Sequence, residues 1–162
     1  MSSELTHISL RPVEPGDEPF LFEVYAGTRT DELAFLPWND AQREAFLKMQ
    51  FNNQQGSYKM HYPDADHRII LLSERPVGRL IVVRGETEIL LTDIALLPEH
   101  RNSGIGASLI RDLCAEAASE GLPVRLHVFK SNRAARLYER LGFRVTGENQ
   151  THFQMEWRSD AQ

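Results

Sequence analysis

The residues of greatest chemical interest form a loop with two glycines between a predicted strand and a predicted helix. The segment Arg101-Asn102-Ser103-Gly104-Ile105-Gly106 follows the apolar run 89–97 and begins the helical pattern of residues 105–118. The first turn of a helix has N–H groups without a partner in the helix, and the helix dipole favours negative charge there. Glycine lets a phosphate come close to these N–H groups because it has no Cβ. The loop therefore predicts a binding site for a phosphate-bearing cofactor.

The spacing of the glycines excludes two common nucleotide-binding loops. A dinucleotide-binding fingerprint needs a third glycine at the position where this chain has Leu109. A Walker loop needs Gly-Lys followed by Ser or Thr, and no such tripeptide follows here. What remains is Arg-x-x-Gly-x-Gly after a strand that ends with residues 94–98. A glycine-rich helix start without any ligand stays open as the alternative.

A second segment, residues 132–143, reads Asn-Arg-Ala-Ala-Arg-Leu-Tyr-Glu-Arg-Leu-Gly-Phe. It predicts a short amphipathic helix with Asn132 as its N-cap and Gly142 as its end. On its own, Tyr138 in this helix is as well explained by a half-buried structural tyrosine. Together, the loop and this segment resemble the two signatures of the GNAT superfamily of acetyl-CoA-dependent N-acetyltransferases, in the family's order.

The resemblance implies how acetyl-CoA is bound, with no metal involved. The pantetheine arm pairs with the backbone of the strand before the loop, here Ile94, Ala95 and Leu96. The pyrophosphate binds the N–H groups of Asn102, Ser103, Gly104, Ile105, Gly106 and Ala107. Arg101 is expected to add a charge-assisted contact, with a solvated surface arginine as the alternative. Asn132 is expected to bond the pantetheine arm, although many members have one residue more between this Asn and the Tyr.

The resemblance also implies direct attack of a primary amine on the acetyl thioester. Tyr138 is the candidate general acid for the departing thiolate, because a phenol donates a proton without being charged. The N–H of Leu96 is expected to stabilise the developing oxyanion. His127 is the candidate base, since histidine titrates near neutral pH, and Asp93 is a weaker candidate. A packed histidine, a structural aspartate and proton loss through water remain the alternatives.

The acceptor amine is not identified by the sequence, and a small-molecule amine and a peptide amine both remain open. The family's acceptor groove is lined by the first two helices, their connection and the last hairpin. This implicates Tyr25, Arg29, Glu32, Phe35, Trp38, His152 and Phe153. A non-catalytic acetyl-CoA-binding sensor or partner domain is the alternative function, because no base is established. The complete glycine loop and Tyr138 favour the enzyme.

The elements that must position these residues follow the order β-α-α-β-β-β-α-β-α-β-β, which matches the GNAT fold. We expect one α+β domain over residues 1–162, with a mixed central sheet of about seven strands flanked by about four helices. The first helix is expected at about 18–28, with Asp17 as its N-cap. The second is expected to end near Phe51, because residues 50–66 are polar and rich in turn formers.

Composition limits the class of protein. A chain of 162 residues with 41% hydrophobic residues favours one cytoplasmic globular domain. No apolar stretch approaches the ~20 residues of a membrane span, and residues 1–6 do not resemble a signal peptide, so no membrane partner is expected. The net charge of −5 argues against nucleic acid as a partner.

The single Cys114 predicts a packed thiol. Homodimers are common in the family, but no feature of this sequence indicates one.

Overall fold

The computed structural model describes residues 7–159, so residues 1–6, where no signal peptide was expected, lie outside the described part. It contains seven strands and four helices in the predicted order. They are β1 Ile8–Pro12, α1 Glu18–Leu33, α2 Asp40–His61, β2 Asp66–Leu72, β3 Arg75–Arg84, β4 Ile89–Leu96, α3 Ile105–Glu120, β5 Val124–Phe129, α4 Ala134–Arg140, β6 Arg144–Glu148 and β7 His152–Trp157. The strands form one sheet in the order β1-β2-β3-β4-β5-β7-β6.

The sheet is mixed, as expected. Strands β4 and β5 are parallel and are connected by α3, because a parallel pair needs a crossover connection. Strands β1 and β2 are antiparallel, and β7 is antiparallel to both of its neighbours. Strand β6 lies at an edge of the sheet, and its register with β7 shifts between Val145 and Gly147. The predicted fold class, α+β with a mixed seven-stranded sheet and four helices, is confirmed.

The chain divides into two compact units. The first comprises Met1–Ile81 with Ile94–Arg101, and the second comprises Val82–Asp93 with Asn102–Gln162. The expected single domain over residues 1–162 therefore stays a prediction. In the first unit, helices α1 and α2 and strand β2 share a hydrophobic cluster. Its buried members are Leu21, Tyr25, Phe51 and Ile69.

The core of the second unit is built around α3. The helix buries one face, whose residues are Ile105, Leu109, Ile110, Leu113, Cys114 and Ala117. Strand β5 alternates strictly between buried and exposed residues, as expected for a strand with one covered face. Cys114 is buried, and burial raises the pKa of its thiol to about 11. The predicted packed thiol is confirmed, and a protonated thiol is a poor nucleophile.

Helix α1 begins after Asp17, but this predicted N-cap makes no capping hydrogen bond to α1. Its carboxylate instead accepts two hydrogen bonds of 2.8 Å from Arg11 and one of 2.7 Å from the N–H of Glu14. The bonds from Arg11 and then from Glu14 lower the pKa of Asp17 to about 2. The helix also extends to Leu33, beyond the expected end at Thr28.

Helix α2 extends to His61, so the predicted end near Phe51 and the predicted loop after it are wrong. Asn39 is the N-cap of the helix, with a reciprocal capping box to Gln42. Two contacts explain why the polar second half stays helical. Phe51 is 2% exposed, and Gln54 Oε1 accepts a 2.8 Å hydrogen bond from buried Arg79. Tertiary contacts outweigh weak helix propensity here.

Gly78 in β3 allows β4 to follow its observed path. A Cβ at residue 78 would collide with the carbonyl oxygen of Ala95 and would lie 2.8 Å from the side chain of Leu96. Only glycine permits two backbones to approach this closely. The segment of β4 held in this way includes residues expected to contact the cofactor, and no local pattern in the sequence indicates this role of Gly78.

We predict opposite effects of one substitution at two glycines. Gly78→Ala lowers the free energy of unfolding by about 1–3 kcal/mol, because the new methyl group overpacks the β3–β4 contact. Gly56→Ala, in the exposed middle of α2 where a Cβ meets no atom within 4 Å, raises it by up to about 1 kcal/mol. Urea unfolding followed by circular dichroism measures both. An unchanged stability of Gly78→Ala would contradict this account of β4.

Candidate active site

The pairing of β4 with β5 stops before either strand ends. It consists of Ile89 with Val124, Leu90 with Arg125 and Leu91 with Leu126. Strand β4 nevertheless continues to Leu96, so Ile94, Ala95 and Leu96 lie beyond its last residue paired with β5. The next residue after the pairing, Thr92, has a buried hydroxyl without a hydrogen-bond partner among residues 7–159. Buried polar atoms in proteins are nearly always hydrogen-bonded, so this hydroxyl is an exception.

The loop after β4 leaves the N-terminus of α3 open. The N-cap is Gly104, at φ 89°, which has no side chain to cap the helix. The first helical hydrogen bond runs from the N–H of Ser108 to the oxygen of Gly104 at 3.0 Å. The N–H groups of Ile105, Gly106 and Ala107 therefore have no partner within the helix.

Two further features of this loop favour an anion. A Cβ on Gly106 would meet no atom within 4 Å, so space is open beside its N–H. Asn102 has φ 59°, a left-handed conformation that Asn tolerates better than most residues. The loop therefore has a backbone geometry that fits an anion such as the pyrophosphate of coenzyme A, and its binding of this group stays a prediction.

Arg101 holds the start of this loop. Its Nε donates to the oxygen of Leu96 at 3.2 Å, and its Nη2 donates to the oxygen of Gly27 in α1 at 2.9 Å. A Cβ on Gly27 would lie 3.1 Å from Pro98, so glycine lets α1 approach closely. The guanidinium therefore has a structural role that the sequence did not indicate. Its contact with the cofactor stays a prediction.

Tyr138 lies on the buried face of α4. Its side chain is 7% exposed, and its ring packs on Phe143 with centroids 5.7 Å apart. Burial, and then the negative charge of Asp93, raise the pKa of its phenol to about 12. At neutral pH the phenol is therefore protonated and can donate. Asp93, the weaker candidate base, is half-buried, and its charge acts on Tyr138.

His127, the candidate base, is an exposed residue of β5. Its neighbours Leu126 and Val128 are buried, as strand alternation requires. His127 therefore lies on the exposed face of β5, and the alternative of a histidine packed on a strand face stays open. Exposure leaves the imidazole accessible to a proton acceptor or donor, while its catalytic role stays a prediction.

Arg133, rather than the predicted Asn132, is at the N-cap position of α4. Asn132 lies one residue earlier, and its Oδ1 accepts a 2.9 Å hydrogen bond from the N–H of Ala134, the first helical residue. The helix ends before Gly142, which has φ 102° and is also the predicted stop. The N–H of Phe143 then returns to the oxygen of Tyr138 at 3.0 Å, a typical C-terminal arrangement. The contact of Asn132 with the pantetheine arm stays a prediction.

Several expected acceptor-groove residues of the first unit bond to one another. The Tyr25 hydroxyl lies 3.2 Å from Gln50 Oε1 and accepts from Arg29 Nη1 at 2.9 Å. Arg29 also forms a 2.8 Å ion pair with Glu32. Trp38 packs edge-on against Phe46, with centroids 5.0 Å apart. Phe35 is 91% exposed and makes none of these contacts.

The expected acceptor-groove residues of the second unit lie at the start of β7. The ring of His152 lies 4.0 Å from that of Phe129, between centroids. Lys130 Nζ lies 5.4 Å from the ring centroid of Phe153, within the range of a cation–π contact.

A basic segment surrounds α4. Residues 130–144 carry five basic side chains and one acidic side chain, in a chain with a net charge of −5. The basic residues are Lys130, Arg133, Arg136, Arg140 and Arg144, and all five are exposed. Such a local excess of positive charge attracts anions in general.

Metal-binding clusters and membrane-spanning helices are two other features that a chain of this kind could contain. Within residues 7–159, no group of three or more His, Cys, Asp or Glu side chains is arranged to hold a metal ion. None of the helices between these residues combines the length and the hydropathy of a membrane span.

The fold and the loop together define a class of protein, and comparison with known proteins identifies the family. The model of the acetyltransferase (GNAT) family matches residues 24–143. This chain therefore belongs to the GNAT family. The PaiA N-acetyltransferase of Thermoplasma acidophilum, solved in complex with coenzyme A, superposes with a TM-score of 0.70 and 18% identity, over 94% of this chain and 99% of that chain. An acetyltransferase of Thermus thermophilus superposes with a TM-score of 0.69 and 18% identity, over 96% of this chain and 99% of that chain.

The chain also resembles curated relatives over part of its length. An uncharacterized N-acetyltransferase of Mycobacterium tuberculosis strain H37Rv is 35% identical over 89 residues, which are 51% of this chain and 57% of the relative. A protein of the same description from Mycobacterium bovis has the same identity over the same number of residues. The match thus spans little more than half the length of these relatives.

The raised pKa of Tyr138 predicts a pH dependence of stability. A phenol with a folded pKa of about 12 and an ordinary value near ~10 contributes stability below pH ~10 that is lost as the pH rises towards 12. Tyr138→Phe lacks this group. Between neutral pH and pH ~11, the wild-type chain should therefore lose more free energy of unfolding than the variant. Urea unfolding at both pH values measures the difference, and equal losses would contradict the burial of this phenol.

Proposed function

We propose that the protein transfers an acetyl group from acetyl-CoA to a primary amine of a small molecule or a peptide. The observation that carries the proposal is the open N-terminus of α3, where Gly104 provides no cap and Gly106 leaves space beside its N–H. Membership of the GNAT family supports acetyl-CoA as the ligand of this loop. The structural neighbour with bound coenzyme A has the same fold.

The binding residues have separate tasks in this proposal. The N–H groups of residues 102–107 hold the pyrophosphate, which the dipole of α3 favours. The backbone of Ile94, Ala95 and Leu96 pairs with the pantetheine arm as an added strand would. The exposed arginines of α4 raise the local concentration of an anionic cofactor. Acetyl-CoA supplies the acetyl thioester.

The catalytic steps follow from the chemistry of the residues. The acceptor amine must lose a proton before it attacks, and His127, Asp93 or water receives it. The N–H of Leu96 donates to the thioester oxygen as negative charge develops there. Tyr138 donates its phenolic proton to the departing sulfur. At neutral pH Tyr138 carries the phenolic proton that an acid must donate.

Gly106→Leu should separate cofactor binding from folding. Because a Cβ at residue 106 meets no protein atom within 4 Å, the variant should fold with stability at least equal to that of the wild type. Its side chain would occupy the space for the pyrophosphate and lower acetyl-CoA affinity at least tenfold by calorimetry. Gly56→Leu, in α2, is the matched control and should bind normally. Unchanged affinity of Gly106→Leu would refute the loop assignment.

Tyr138→Phe should lower turnover at least tenfold and leave acetyl-CoA affinity nearly unchanged, because only the proton donor is removed. Release of the coenzyme A thiol, measured across a panel of primary amines, gives the rate. An undiminished rate would exclude Tyr138 as the acid. Binding of acetyl-CoA without thiol release from any amine would favour the sensor alternative over the enzyme.

A further inference from the structure

The end of α1 and the start of α2 line an open pocket of about 230 Å³ within the first unit. Its lining consists of Thr30, Leu33, Ala34, Arg43 and Leu47. The side chains of Leu33, Ala34 and Leu47 are apolar. The Thr30 hydroxyl is already used, because it donates to the oxygen of Ala26 at 3.0 Å. The pocket therefore suits an apolar body with one polar group directed at Arg43.

Arg43 is poorly bonded for a partly buried cation. Its Nη1 lies 3.4 Å from Asp40 and its Nη2 lies 3.4 Å from the oxygen of Leu36, both long for charge-assisted hydrogen bonds. Its Nε is buried and lacks a partner among residues 7–159. The Asp40 side chain is fully exposed to solvent, which weakens the ion pair. The guanidinium can therefore exchange these weak hydrogen bonds for bonds to a better acceptor at little cost in free energy.

The connection between α1 and α2 adds an exposed aromatic ring. Phe35 follows Ala34 of the pocket lining and is 91% exposed. An exposed phenylalanine beside an apolar pocket enlarges the apolar surface that a ligand can cover. The end of α1, the start of α2 and their connection thus combine an apolar pocket, an exposed aromatic ring and an arginine with long hydrogen bonds.

We propose that this pocket binds a small molecule with an apolar body and one carboxylate, which the guanidinium of Arg43 holds. Arginine matches a carboxylate with two parallel N–H donors. The apolar lining provides no second cation for a polyanion, so a monocarboxylate is favoured over a phosphate ester. Phe35 is also an expected acceptor-groove residue, but the proposal goes beyond acetyl transfer, because this binding needs neither acetyl-CoA nor turnover.

The test uses the full chain without acetyl-CoA and two matched pairs of probes. Isovalerate and 3-phenylpropionate are compared with their amides by ligand-observed NMR and calorimetry. At least one acid should bind at least tenfold more tightly than its amide. Arg43→Gln should abolish this preference. Lys48→Gln, which removes one exposed positive charge from the same helix, should retain it.

A second variant tests the cavity separately from the charge. Ala34→Phe, at an exposed position of the lining, should fill the pocket and abolish binding of the acid while Arg43 is intact. Circular dichroism verifies that both variants fold. Equal binding of acid and amide, or an unchanged preference in Arg43→Gln, would overturn the role of Arg43. No binding of any probe to the wild type, or undiminished binding to Ala34→Phe, would overturn the site.

Discussion

The early end of the β4–β5 pairing is the constraint on which the candidate site depends. Hydrogen bonding between these parallel strands stops at Leu91 and Leu126, while β4 continues to Leu96. A continuous ladder would use the backbone groups of β4 for the sheet alone. The close approach of Gly78 to Ala95 accompanies this path, and Arg101 bonds to the oxygen of Leu96. The last residues of β4 therefore lie beyond the pairing with β5, and the chain after them leads to an open helix start.

The second part of the site depends on burial rather than on pairing. Helix α4 is short, but Asn132 accepts a hydrogen bond from its first N–H group and Gly142 ends it, so Tyr138 is held at a defined position. Burial and the charge of Asp93 both disfavour the phenolate. The same environment that stabilises the fold therefore keeps a proton on the candidate acid. His127, in contrast, lies on the exposed face of β5.

Local signals explain what the sequence could predict. Glycines in the loop and at residue 142, and an Asn at residue 132 that bonds the start of α4, are needed by backbone geometry within a few residues. The order of elements follows from periodicity and turn formers. The loop, the α4 segment and the fold class were therefore predictable. The close approaches at Gly27 and Gly78 join segments distant in sequence, so no local pattern indicates them.

Two errors show how tertiary contacts outweigh local preference. The second half of α2 is polar, yet Phe51 and the bond between Gln54 and Arg79 keep it helical. Asp17 is a good N-cap by type, but Arg11 in β1 provides a stronger partner for its carboxylate. The environment of Tyr138 also depends on Asp93, which is distant in sequence. Side-chain partners of this kind appear only in the folded chain.

The central claim, that this chain binds acetyl-CoA, is tested most directly by thermal unfolding with and without the cofactor. NADH and ATP serve as controls, since both carry phosphates but lack the pantetheine arm. Acetyl-CoA at ~100 times its dissociation constant should add about 2.7 kcal/mol of stability and raise the melting temperature. The account predicts this rise with acetyl-CoA and little change with NADH or ATP. No rise with acetyl-CoA, or an equal rise with all three compounds, would contradict it.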